Sequence, residues 1–74
     1  NADAFYARGG IYLEIEDYER ALRDYNKVIE LEPKNSGAFV NRGLIYHRTE
    51  NYQKAIEDYT AAIKLNQAEN LAYS

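Results

Sequence analysis

Displaced by 34 positions, the chain falls on itself without a gap. Fifteen of the forty residue pairs so formed are identical, where ordinary composition gives roughly 2 or 3. They include Phe5/Phe39, Arg8/Arg42, Gly9/Gly43, Tyr12/Tyr46, Tyr18/Tyr52, Ala21/Ala55, Asp24/Asp58, Tyr25/Tyr59 and Ile29/Ile63. A period of this length means one supersecondary unit used repeatedly. Such a unit cannot bury its apolar face alone and must stack on a neighbour. The chain of 74 residues is expected to hold the unit at about 2–35 and about 36–69. Residues 70–74 then begin a third copy or extend the last helix. The chain starts with Asn1 rather than Met and shows no signal-peptide pattern. It is expected to be part of a longer protein.

Within each copy the apolar spacing is helical. Phe5, Gly9 and Tyr12, with Arg8 between them, form one stripe at i, i+3, i+4, i+7. Tyr18, Ala21, Leu22, Tyr25, Val28 and Ile29 form a second, and the next copy repeats both. No alternating strand pattern is present. Asp17 and Asn51 stand where a helix N-cap belongs, and Pro33-Lys34-Asn35-Ser36 separates the copies, with Asn35 or Ser36 as the next cap. The spacing predicts helices near 3–15, 18–31, 36–49 and 52–65. The final stretch, 51–74, contains neither Gly nor Pro, so nothing in it forbids a longer fourth helix.

Gly9 and Gly43 recur in mid-helix, where Gly costs about 1 kcal/mol against Ala. Opposite them recur Ala21 and Ala55. Small residues at matched places predict close helix contact, with tyrosines filling the wider gaps. Each copy also carries one arginine and one aspartate at fixed spacing. Arg8 is expected to meet Asp24 across its hairpin and Arg42 to meet Asp58, with Asp24 of the preceding copy as an alternative for Arg42. A pair of this kind fixes register more than it adds stability.

Composition excludes several function classes. Nine Lys/Arg against twelve Asp/Glu give a net charge of −3, and the cations are dispersed among acids. That is a solvated helix face and not a nucleic-acid track. The chain has no cysteine and one histidine. His47 and Glu50 share a helix face at i, i+3, but no third ligand accompanies them, so no metal site or cofactor is expected. No apolar run is long enough to span a membrane. Gly9-Gly10 lies inside a helical stripe without a preceding strand and is not a phosphate loop. No nucleophile–base grouping is present, and the chain is expected to be no enzyme.

Phe5, Gly9, Tyr12, Ala21, Tyr25 and Pro33, with Phe39, Gly43, Tyr46, Ala55 and Tyr59, give the sequence a resemblance to the tetratricopeptide repeat family. The likeness covers essentially the whole chain. It departs from the family at Arg8 and Arg42, where Leu is usual, at Glu16 and Glu50, where Gly is usual, and at Gln67 in place of a proline. The resemblance implies an all-α fold of antiparallel helix-turn-helix repeats stacked as a right-handed α-solenoid. It also implies a non-catalytic protein-interaction role, with the first helix of each repeat lining a concave face.

By that analogy the partner-binding residues are Tyr6, Leu13, Val40, Asn41, Leu44, His47 and Arg48. Asp3, Gly10, Glu14 and Gly37 stand beside them. These positions differ between the copies, as in Tyr6/Val40, Gly10/Leu44 and Leu13/His47. The family's clamp for the carboxylate end of chaperone tails is matched by Asn41 alone, since Tyr6, Gly10 and Leu71 replace its other residues. A peptide with apolar anchors is therefore the expected partner. The alternative is a structural segment that self-associates through an uncapped fourth helix, whose Ile56, Tyr59, Ala62 and Ile63 are covered only if Leu71, Ala72 and Tyr73 turn back.

Overall fold

The computed structural model describes the backbone of residues 1–73 and the side chains of residues 1–68. Four helices follow one another: α1 (Ala2–Glu14), α2 (Tyr18–Leu31), α3 (Ser36–Arg48) and α4 (Tyr52–Tyr73). No strand occurs among the described residues. The helices α1 and α2 pair as an antiparallel hairpin, α3 and α4 pair as a second, and α2 against α3 joins the two.

Local sequence sets each reversal. Asn1 accepts from the Ala4 N–H at 2.9 Å, Asp17 from the Arg20 N–H at 3.3 Å, and Asn35 from the Ala38 N–H at 3.1 Å. Each satisfies one of the amides that a helix start leaves without a partner. The ends of α1 and α3 share one geometry. Asp17 N–H donates to the Tyr12 carbonyl at 2.8 Å and Asn51 N–H to the Tyr46 carbonyl at 2.7 Å. Such a closure needs one left-handed residue. Glu16 and Glu50 supply it, with φ of 64° and 65°. For a residue with a Cβ that conformation costs roughly 1–2 kcal/mol.

The second helices end differently. Pro33 forces the residue before it out of the helical region, and Glu32 has φ −133° and ψ 80°, so α2 stops at Leu31. The matching position in α4 is Gln67. With no proline or glycine to break it, α4 runs beyond the expected 65 to Tyr73.

The core lies in the seam between the hairpins. Ala21, Tyr25 and Val28 of α2 and Ala38 and Ile45 of α3 are each at most 1% exposed. Phe5, Tyr6, Tyr12, Tyr18, Leu22 and Ile29 pack around them. Inside each hairpin glycine permits the approach. A Cβ on Gly9 would lie 3.2 Å from the Tyr25 ring, and one on Gly43 only 2.9 Å from the Tyr59 ring. The apolar stripe of α4 splits in two. Tyr59 is half-buried and Ala62 buried, whereas Ile56 and Ile63 are 59% and 57% exposed. The side chains of Leu71, Ala72 and Tyr73, considered above as a cover, lie outside the described residues.

Candidate interaction face

One ion pair clasps each hairpin. Arg8 donates from Nε and Nη2 to the two Asp24 oxygens at 2.9 and 2.8 Å. Arg42 makes the same two bonds to Asp58 at 2.8 and 2.7 Å. Each guanidinium also lies between two rings of its own helix. Arg8 is 5.6 Å from the Phe5 centroid and 6.0 Å from that of Tyr12, and Arg42 is 5.4 Å from Phe39 and 5.9 Å from Tyr46. The carboxylates are buried. Hydrogen bonding to the aspartate, reinforced by its charge, raises both arginines above their ordinary range. Arg42 does not reach back to Asp24. Its Nη1 donates instead to Asn26 Oδ1 of α2 at 3.0 Å, so one guanidinium clasps its own hairpin and grips the preceding one. Both aspartates are thereby fully engaged within their hairpins.

The first helices, α1 and α3, carry the other residues singled out from the sequence. Tyr6 is half-buried and bridges the two hairpins: its hydroxyl accepts from Asn41 Nδ2 at 3.0 Å. Its ring meets Tyr25 edge-on at 5.6 Å. Gly37 makes room for it, since a Cβ there would lie 2.8 Å from the Tyr6 hydroxyl. Leu13 and Leu44 are half-buried, Val40 is 42% exposed, and His47 and Arg48 are exposed. His47 stacks edge-on with Tyr52 of α4 at 5.4 Å. The structure thus joins Tyr6 to Asn41 and turns His47 toward the α3–α4 reversal, while Val40 and Arg48 stand open.

Asn26, Gly37 and Tyr52 gain roles that the sequence reading did not give them. Asn26 aligns with Thr60 and so leaves no mark in the repeat. The surface carries shallow recesses. One lies at the elbow of Glu32, Pro33, Lys34 and Asn35, and another is ringed by Arg8, Tyr12, Arg20, Arg23 and Asp24. Among the described residues no three His, Cys, Asp or Glu side chains gather to hold a metal, and no helix is long and apolar enough to cross a membrane.

Stacked antiparallel hairpins with this ring-and-glycine packing define a helical-repeat protein. The chain belongs to the tetratricopeptide repeat family, whose model matches residues 9–73. It is similar to the DnaJ homolog subfamily C member 3 homolog of Dictyostelium discoideum, with 51% identity over 35 residues, which are 47% of this chain and 7% of that protein. It also resembles the crystal structure of MamA, with a TM-score of 0.92 at 24% identity over 95% of this chain and 41% of that one. At that identity the likeness is one of fold. The chain spans less than half the length of either protein. Such helical repeats are a fold used for protein or peptide interaction.

Proposed function

We propose that the chain holds two tetratricopeptide repeats and binds an apolar-anchored peptide or partner segment along the α1–α3 face. The observation that carries this reading is a contrast between positions. The residues that clasp and fill the hairpins recur unchanged, whereas those on the α1–α3 face differ and stay partly open. Val40, Leu44 and Arg48 offer an apolar strip with a cation at its end. Tyr6 and Asn41 form its floor, because their hydrogen bond ties them to each other. The carboxylate clamp is disfavoured because Asn41 alone matches it, with Tyr6 and Gly10 in place of its other first-helix residues. The DnaJ-related likeness covers one repeat's length and does not restore the missing clamp residues.

Panning a random peptide library against the chain tests the proposal. Selected peptides should carry apolar anchors, and a Val40→Glu, Leu44→Ala, Arg48→Ala triple variant with unchanged helicity should bind them at least about tenfold more weakly. Equal binding by the variant would show that the face is not the site. Acidic peptides ending in a free carboxylate should not saturate. The second reading, a segment that serves assembly, is favoured by the exposure of Ile56 and Ile63.

A further inference from the structure

Among the described residues, seven large apolar side chains are exposed: Ile11, Ile15, Leu31, Val40, Tyr52, Ile56 and Ile63. Five of them occupy positions whose counterparts, 34 residues away, build the joint between the hairpins. On the α1 side, Ile11 is 59% exposed where Ile45 is 1% exposed. Ile15, 66% exposed, matches Thr49, which lines the joint beside Tyr18, Leu22 and Tyr46. On the α4 side, Tyr52, Ile56 and Ile63 match Tyr18, Leu22 and Ile29, all packed against the inter-hairpin core. The polar contact follows the same rule. Arg8 Nη1 has no hydrogen-bond partner among the described residues, whereas Arg42 Nη1 holds Asn26. The counterpart of Asn26 on α4 is Thr60, which is exposed and carries an acceptor oxygen.

We infer that the outer faces of α1 and α4 are the two halves of one joint, and that two copies of this chain stack head to tail through them. This deepens the assembly reading above by naming what the α4 face meets. The argument for a second copy is continuity with an interface already on display. The chain mates these same two surfaces once internally, in register, and each copy presents the remaining half of each. The apolar positions supply the contact area, and Arg8 Nη1 meets Thr60 Oγ1 where Arg42 meets Asn26. A contact between two different faces leaves one free half at each end of a linear stack, so the stack grows with concentration until it closes into a ring.

Sedimentation equilibrium on the 74-residue chain and three variants tests this. Wild type should form species larger than dimers as concentration rises. Ile11→Glu/Ile15→Glu and Ile56→Glu/Ile63→Glu change exposed residues, so both variants should keep wild-type helicity. Each alone should be monomeric, and an equimolar mixture should give a 1:1 dimer that grows no further. Thr60→Asn should tighten association about two- to tenfold, by restoring the amide acceptor. If the α1 variant alone dimerises, the α4 faces meet each other; the head-to-tail joint is then wrong while self-association stands. A wild-type chain that stays monomeric at millimolar concentration overturns both.

Discussion

Arg8 and Arg42 hold the same place in two hairpins and grip their aspartates over nearly the same distances, yet the Arg8 side chain is 56% exposed and that of Arg42 is 21%. The aspartates do not differ in this way, at 3% and 4% exposure. The difference comes from the neighbour. In the second hairpin α2 lies over α3 and adds Asn26 to the clasp; in the first, no described residue takes that place beside α1. Duplication copies the local contact faithfully. It does not copy burial, and burial decides what the contact contributes.

The arginines give the largest test of that comparison. Arg42→Ala strands the buried Asp58 carboxylate, and should cost roughly 3 kcal/mol in urea unfolding. Arg8→Ala should cost less, because water reaches Asp24 through the space the side chain leaves. Arg42→Lys and Arg8→Lys preserve the order if the alanine variant has no folded baseline, since lysine cannot make the two-pronged contact. Equal losses in the two hairpins would mean that the neighbour contributes nothing.

What the sequence could show has the same origin. Helix number, order and hairpin pairing were legible because every weak signal appears twice at one spacing. Phe5, Gly9 and Tyr12 alone are a faint stripe; with Phe39, Gly43 and Tyr46 they are a pattern. The clasp residues recur in the same way. The joint between hairpins occurs once in the chain and therefore leaves no recurrence. Asn26 aligns with a threonine, and Ile45 looks identical to Ile11 although one is core and the other surface. The α1–α3 face was harder still. Its positions came from family likeness, and nothing local indicated that Tyr6 would be held by Asn41 over the bare backbone of Gly37. The α4 stripe looked like a single apolar side because a helix shows its period and not which neighbour each residue meets.

A smaller effect should be the same in both hairpins, and so serves as the control. Glu16 and Glu50 are left-handed at φ 64° and 65°, a feature of the helix end and not of the neighbour. Replacing either with Gly relieves the Cβ clash, although it loosens the unfolded chain. Each variant should gain about 1 kcal/mol of stability in urea unfolding, the two agreeing closely. A gain at one site alone would show that the second hairpin reshapes even this local closure.

The smallest effect at ordinary pH concerns Tyr25, the ring at the centre of the seam. Burial disfavours the phenolate there, nearby Tyr6 and Asp24 add to this, and the Asn41 amide opposes it; the outcome is a pKa raised from its ordinary 10.0. The sign follows from linkage. Below the unfolded value the phenol is neutral in both states, and its contribution to stability is complete. As pH rises past about 10, the unfolded chain releases the proton first, so stability falls until the folded phenol also ionises. Urea midpoints measured from pH 8 to 11 should therefore decline above about pH 10, and less steeply in Tyr25→Phe, which has no proton there to lose. An identical alkaline slope in the two proteins would mean that the seam admits water to the Tyr25 hydroxyl, and that the two hairpins are less tightly joined than α2 and α3 imply.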